Sequence, residues 1–143
     1  MRAEGARTNG PSTQTRVKLS NLLRGPHRGR PGEDLACRHL AQSGFTVLQR
    51  NYRCRSGEVD VVARDGDTTV FVEVKERHGI SHGHGYESVT FGKRRRLIRA
   101  ARLFAAAHGL DERPLRFDVI SIDWDEQGPR VRHDRGAFDL SAL

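Results

Sequence analysis

The stretch EVDVVARDGDTTVFVEVKE, residues 58–76, constrains the fold more than any other part of the chain. Both of its halves are rich in β-branched residues, which favour extended strands. Between them, Gly66 and Asp67 suit a two-residue type II′ turn, with glycine at its first position. Pairing across that turn places Asp65 opposite Thr68. The sequence therefore predicts an antiparallel hairpin with a defined register.

The same register brings two carboxylates together. Counting back along both strands sets Asp60 opposite Glu73, and the alternation of side chains puts Lys75 on the same face. Like charges opposite each other on a half-buried sheet destabilise it unless one is protonated or a cation lies between them. Mg²⁺ prefers carboxylate oxygens, so the hairpin predicts a metal site. The alternative is a solvent-exposed face with a Glu73–Lys75 ion pair.

Residues 31–43 are predicted to form a helix that begins at Pro31 and ends before Gly44. Helical spacing places Glu33 on the apolar side, so its carboxylate is expected to point inward. Glu33 is either a further metal ligand or a capping or ion-paired residue at the edge of the core. The apolar side comprises Ala36, Cys37, Leu40 and Ala41, while Asp34, Arg38, His39 and Gln42 are expected to face solvent.

Four further segments complete a pattern of helices and strands. We predict strands at 45–53, 115–124 and 130–133, a helix at 92–108 and a Gly- and His-rich loop at 76–91. Together with the hairpin and the helix at 31–43, these give the order αβββαββ. Such an order predicts an α/β fold with a mixed central sheet flanked by helices.

The helix at 92–108 separates apolar residues from cations. Between Ser88 and Leu110 the chain has no acidic residue. One-sided cations without acids suit the neutralisation of phosphates, although a plain solvated face has the same composition. The candidate nucleic-acid-binding residues are Lys93, Arg94, Arg95, Arg96 and Arg99.

Most of the excess charge belongs to the amino-terminal region. The formal net charge is +7, and residues 1–30 hold seven basic residues and one acid. We predict a basic disordered tail at 1–28 and one domain at 29–143. The chain has no run apolar enough for a signal peptide or a membrane span, so a cytoplasmic location is expected. Cys37 and Cys54 lack metal-ligand or disulfide spacing and are predicted to be core residues.

Two groups of polar residues near the hairpin have alternative interpretations. Glu58 shares a face with Asp60, which favours a residue that supports the metal ligands or an exposed glutamate at a strand start. The loop residues His78, His82 and His84 lack the further ligands of a zinc site. A mobile loop that closes on a substrate is the preferred interpretation of this segment.

The chain also resembles a known family in four blocks that occur in order. They are GEDLACRHLAQSGFTVLQRNYR, GEVDVVARDGDTTVFVEVKER, VTFGKRRRLIRAA and RFDVISI. These blocks resemble the uncharacterised bacterial family typified by YraN, of the restriction-endonuclease-like PD-(D/E)xK superfamily, and are similar to archaeal Holliday-junction resolvases. The resemblance covers about residues 29–138. One departure is that Val59, and not proline, precedes Asp60.

The resemblance implies a restriction-endonuclease-like core with a metal-dependent site. Its catalytic residues would be Glu33, Asp60, Glu73 and Lys75, with Asp60, Glu73 and Glu33 as ligands of Mg²⁺ or Mn²⁺. It also implies a homodimer that hydrolyses a phosphodiester of DNA with a metal-activated water. Two alternatives stay open, namely a non-catalytic nucleic-acid-binding accessory protein and a protein-interaction module whose carboxylates have no catalytic role.

Overall fold

The computed structural model describes residues 13–16, 31–79 and 89–138. The strands form one six-stranded sheet in the order β1-β6-β5-β4-β3-β2. Only β4 and β5 are parallel neighbours, and the other pairs are antiparallel. This mixed sheet with two helices confirms the α/β class. The elements are β1 (Thr13–Arg16), α1 (Pro31–Gln42), β2 (Thr46–Cys54), β3 (Gly57–Asp65), β4 (Thr68–His78), α2 (Phe91–Ala107), β5 (Leu115–Asp125) and β6 (Gly128–Phe138).

The two helices cover opposite faces of the sheet. Val61 of β3 packs with α1, whereas its neighbour Val62 packs with α2. Because successive strand residues point to opposite faces, both faces are buried, which explains the nearly continuous apolar runs of β3 and β4. None of the helices in the described part of the chain is long and apolar enough to cross a membrane.

Helix α1 follows the predicted pattern, except that its buried side is rotated about the helix axis relative to the prediction. Glu33 points inward and is only 4% exposed, as the helical spacing predicted. The prediction for Ala41 is wrong, because this residue is exposed and Leu35 is buried in its place. Leucine removes more apolar surface from water than alanine, so a helix orientation that buries Leu35 is favoured. Gly44 follows the helix with φ +88°, a conformation that glycine adopts readily.

The β3–β4 hairpin has the predicted register, and its two strands separate at the end away from the turn. Pairing runs from Asp65–Thr68 to Val61–Val72, and Gly66 has the positive φ of +61° that a type II′ turn requires. The ladder stops one pair before Asp60 and Glu73. There, the backbone N–H of Val74 donates to Oδ2 of Asp60 at 2.8 Å. The strands therefore separate where the two carboxylates meet.

Strand β6 is longer than the predicted segment 130–133, because a buried polar network stabilises it. Nε2 of His133 lies 2.8 Å from Oδ2 of Asp118, and Nδ1 of His133 lies 3.1 Å from Nε2 of His39. Arg116 donates to Asp118 from Nε at 2.9 Å and to Asp65 from a terminal nitrogen at 3.0 Å. These bonds satisfy polar and charged side chains whose burial without partners would destabilise the fold.

The short strand β1 lies inside the stretch that we expected to be disordered. Thr13–Arg16 pairs antiparallel with β6, from Thr13 opposite His133 to Arg16 opposite Arg130. The rest of residues 1–30 lies outside the described residues. β1 therefore covers the β6 edge of the sheet, and β2 forms the opposite edge.

Candidate functional site

Three carboxylates converge where the hairpin opens. The nearest oxygens of Glu33, Glu58 and Asp60 lie within 4.8 Å of one another. Glu33 comes from the first turn of α1, and the other two from the start of β3. Glu58 was predicted to be either a supporting or an exposed residue. The structure places its carboxylate next to Asp60 and Glu33, while its side chain remains accessible.

Glu73 is a fourth carboxylate on the same cluster. The pKa of Asp60 is raised from 3.8 to about 7, mainly by burial and next by the negative charge of Glu73. The charge of Glu33 and a hydrogen bond between the Asp60 and Glu73 carboxyl groups contribute to this rise, and the bond from the Val74 N–H opposes it. Glu73 itself is only 5% exposed. The cluster thus retains a proton near neutral pH when no cation compensates its charge.

Two residues of β2 hold Glu33 in this position. Nδ2 of Asn51 donates to Oε2 of Glu33 at 3.2 Å, and a terminal nitrogen of Arg50 lies 3.6 Å from the same oxygen. Arg50 also pairs with Asp34 at 2.7 Å. Asn51 has φ 51°, and no other non-glycine residue of the described ranges has a positive φ. This uncommon backbone conformation directs the Asn51 carboxamide towards Glu33.

Two lysines line the cleft beside the carboxylates. Lys93, from the first turn of α2, contacts the carboxylate of Glu73. Lys75 lines a cleft of about 410 Å³ together with Glu73 and Lys93. An adjoining cleft of about 420 Å³ contains Glu58, Asp60, Glu73 and Lys93. The structure therefore brings the predicted Asp60, Glu73, Lys75 and Lys93 to two clefts that share Glu73 and Lys93, and the carboxylate of Glu33 lies beside Asp60.

The arginines of α2 divide into two groups. Arg95, Arg96 and Arg99 are exposed, and Arg96 also lines the cleft beside Asp60. Arg94, which is also predicted to bind nucleic acid, is only half-exposed. Its Nε donates to the carbonyl of Val89 at 2.9 Å, and its guanidinium lies 5.6 Å from the centre of the Phe138 ring. Helical spacing turns Arg94 away from Arg95, so its guanidinium packs against the protein.

The histidine-rich loop lies mostly beyond the described residues. His82 and His84 fall there, and of the three loop histidines the structure describes His78. His78 stacks on Trp124, with ring centres 5.8 Å apart. Nε1 of Trp124 donates to Oε1 of Glu76 at 2.7 Å. His78 therefore belongs to a packing cluster at the end of β4.

Sequence reasoning found the central carboxylates but missed their supports. Arg50 and Asn51 precede the RCRSG turn and carry no motif of their own. The basic and amide side chains within the predicted strand 45–53 were the only available signal. Their role depends on the backbone conformation of Asn51, which local propensity does not predict.

These observations define an α/β protein whose carboxylate-lined cleft opens between two strands of a mixed sheet, an architecture compatible with a nuclease-like fold. The profile of the uncharacterised protein family UPF0102 matches residues 32–122. The chain belongs to this family, which is the YraN-like family that the four sequence blocks indicated.

Individual relatives agree with this assignment. A UPF0102 protein of Parafrankia sp. strain EAN1pec is 50% identical over 111 residues, which cover 77% of this chain and 94% of the relative. A UPF0102 protein of Stutzerimonas stutzeri is 47% identical over 112 residues, which cover 78% and 93% of the two chains. Another from Anaeromyxobacter dehalogenans is 47% identical over 111 residues, covering 78% and 83%.

Proposed function

We propose that this protein is a magnesium-dependent nuclease that hydrolyses phosphodiesters of DNA, with its core arranged as in the PD-(D/E)xK superfamily. The observation that carries the proposal is the convergence of Glu33, Glu58 and Asp60 within 4.8 Å, beside Glu73. Carboxylates that repel each other in a cleft lower the stability of the fold. A hard cation bound between these carboxylates would compensate their repulsion, so the arrangement favours a cation-binding site.

The donor set fits Mg²⁺ or Mn²⁺. All four groups offer carboxylate oxygens, whereas zinc sites use nitrogen and sulfur ligands more often. Asp60, Glu73 and Glu33 would hold the ion, with Glu58 next to them. Bound in this way, the ion would supply positive charge that lowers the pKa of water and polarises a phosphoryl oxygen.

The remaining residues of the cleft suit the binding and activation of a phosphate. Lys75 is positioned to orient a water or to stabilise negative charge on the reacting phosphate. Arg96 lies at the edge of the cleft, and Arg95 and Arg99 extend the cationic surface along α2. These arginines would bind neighbouring phosphates of the same strand and so position the backbone.

The test is cleavage of linear duplex, single-stranded and four-way-junction DNA in Mg²⁺ or Mn²⁺. We expect Asp60→Asn and Lys75→Ala each to reduce the cleavage rate about 100-fold or more. Asp67→Asn is the matched control, because the Asp67 side chain lies in the hairpin turn and is 81% exposed. Cleavage that requires no metal, or that survives Asp60→Asn, would contradict the proposal.

A second function is favoured by one specific contact. The ion pair with Lys93 already compensates the charge of Glu73 without a metal ion. The exposed arginines of α2 can also bind phosphates without one. A non-catalytic protein that binds nucleic acid through α2 would have the same features. It predicts binding that Asp60→Asn leaves unchanged, with no cleavage of any of the three DNAs by the wild-type protein.

A further inference from the structure

Phe91 presents an aromatic ring to solvent beside the cleft. Its exposure is 57%, and Leu48 at 42% is the other large apolar residue exposed in the described ranges. Phe91 is the first residue of α2 and follows Val89 and Thr90, which line the cleft with Lys75. A single exposed apolar residue is common on protein surfaces, so the surroundings of this ring decide whether it marks a binding site.

The neighbours of Phe91 on α2 are cations. The guanidinium of Arg95 lies 5.9 Å from the centre of the Phe91 ring. Arg99 and Arg102 continue on the same side of the helix, and both are exposed. From Phe91 to Arg102 this surface extends about 16 Å along the helix. We call these four residues the aromatic–arginine stripe.

The stripe has two chemical properties at once. Its arginines attract phosphates, and the absence of acids between Ser88 and Leu110 leaves that attraction uncompensated within the helix. Its ring offers a flat apolar face, which a nucleobase matches and a phosphate does not. Positive surfaces with exposed aromatic rings are typical of sites for unpaired nucleic acid, because base faces are buried by stacking in a continuous duplex.

We propose that the Phe91 ring stacks on an unpaired base next to the phosphodiester in the cleft. The ligand class of this surface is then a nucleic acid with unpaired nucleotides, either single-stranded or branched. This inference rests on the proposed function for the position of that phosphodiester. The stacking itself requires neither a metal ion nor a cleavage step.

The experiment compares binding of a single-stranded oligonucleotide and of its duplex, both in EDTA so that no cleavage occurs. The full chain is used as wild type, Phe91→Ala, Phe91→Leu and Phe91→Trp. We expect Phe91→Ala to weaken single-strand binding about 5- to 100-fold and to change duplex binding less than about two-fold. Phe91→Trp should retain the affinity, and Phe91→Leu should resemble Phe91→Ala because it lacks an aromatic face.

A second readout reports stacking directly. A 2-aminopurine placed in the single strand should lose fluorescence on binding to the wild type and to Phe91→Trp, but not to Phe91→Ala. Leu48→Ala is the matched control, since it removes the other exposed apolar side chain from the edge strand β2. We expect Leu48→Ala to bind both nucleic acids as the wild type does.

Several results would overturn the inference. It is wrong if the wild type does not bind the single strand, if Phe91→Ala weakens both nucleic acids equally, or if Phe91→Leu binds like the wild type. The last result would indicate a general apolar contact, as with a protein partner. Stacking without metal-dependent cleavage would refute only the nuclease. Cleavage that depends on Asp60 but not on Phe91 would refute only the stacking.

Discussion

At the scale of single residues, the ionised carboxylate of Asp60 destabilises the fold. Its folded pKa of about 7 exceeds the usual 3.8, so the protonated form stabilises the folded state at low pH. That contribution is lost as pH rises from about 4 through 7, because the ionised carboxylate is then buried beside Glu73. The acidic cluster therefore makes the stability of the fold depend on pH.

Asp60→Asn tests this dependence. In EDTA at pH 8 we expect the variant to be more stable than the wild type by about 2 kcal/mol, with a smaller difference at pH 5. The amide oxygen of Asn can still accept from the Val74 N–H. Mg²⁺ should stabilise the wild type and leave the variant nearly unchanged. Urea unfolding with and without Mg²⁺ measures both effects, and a wild type more stable in EDTA at pH 8 would contradict the expectation.

Asn51 holds Glu33 at a conformational cost. Asn51→Gly relieves the positive φ but removes the hydrogen bond to Glu33, so two effects of about 1–2 kcal/mol oppose each other. Asn51→Asp keeps the size and places a carboxylate against Glu33. We expect Asn51→Asp to destabilise the metal-free protein by about 1–3 kcal/mol more than Asn51→Gly does. Urea unfolding in EDTA gives the comparison, and equal stabilities would show that the Asn51 amide does not support Glu33.

The sequence predicted the central residues because their positions follow from local geometry. A two-residue turn sets Asp60 beside Glu73, and helical spacing turns Glu33 inward. The contact between Lys93 and Glu73, the place of Glu58 and the support from Asn51 depend on how α1, α2 and β2 pack on the hairpin. Short-range patterns contain no information on that packing.

At the scale of elements, His39 connects α1 to β6. The sequence placed His39 towards solvent, yet its Nε2 lies 3.1 Å from Nδ1 of His133. The pKa of His39 is lowered from 6.5 to about 4, mainly by burial and in addition by the neighbouring His133 and Arg135. Asp118 and Arg116 extend the same buried network. Neutral His39 therefore favours the docked helix.

His39→Gln tests this connection. Because the folded pKa of His39 lies below 6.5, the wild type should lose stability as pH falls from about 6.5 towards 4. That loss is on the order of 2 kcal/mol for a partly exposed ring. We expect His39→Gln to lose less stability than the wild type over this range. The difference between their unfolding free energies at pH 7 and pH 5 is the measurement, and parallel pH profiles would refute the role of His39.

Helix α1 lies close to the Glu76 side chain of β4 at Gly32. A Cβ added there would lie 2.6 Å from Oε2 of Glu76, whose other oxygen accepts from Trp124. We expect Gly32→Ala to destabilise the protein by about 1–2 kcal/mol despite the higher helix propensity of alanine. Gly92→Ala in α2 is the control, because nothing lies within 4 Å of its added Cβ.

A double-mutant cycle with Glu76→Ala separates crowding from other effects at Gly32. If crowding is the cause, Gly32→Ala should be neutral or stabilising once the Glu76 side chain is shortened. Gly92→Ala should stabilise by up to about 1 kcal/mol in both backgrounds. A destabilisation at Gly32 that persists without the Glu76 carboxylate would contradict this explanation.

The extent of β6 shows why elements were only partly predictable. The segment GPRVRHDRGAF lacks apolar alternation, so only its centre was predicted as a strand. Beyond that centre, the Gly136 N–H donates to Asp118 at 3.0 Å, and the same carboxylate contacts His133 at the end of the predicted segment. Such bonds join residues far apart in the chain and leave no periodic signal.

At the scale of the whole molecule, charge is concentrated at one end of the chain. Residues 1–28 contain six basic residues and one acid. Deleting them should reduce the slope of log binding constant against log salt concentration by up to about 4, if each net charge contacts one phosphate. Fluorescence anisotropy of labelled DNA at several salt concentrations measures the slope.

The deletion also removes β1, so a shorter truncation is its control. Deleting residues 1–12 keeps Thr13–Arg16 and removes two basic residues and one acid. Its slope should fall by no more than about 1. An unchanged slope after the longer deletion would assign the phosphate contacts to the domain and its aromatic–arginine stripe.

The open end of the β3–β4 hairpin has a consequence for the order of folding. Its turn is local, so the strands meet early and at little entropic cost. Asp60 and Glu73 are then brought together before the helices have docked, when water still solvates both. Glu33 and Lys93 arrive only with the long-range packing of α1 and α2. The cluster is therefore completed in the last steps of folding. An ion that binds only the complete cluster would slow unfolding without accelerating folding.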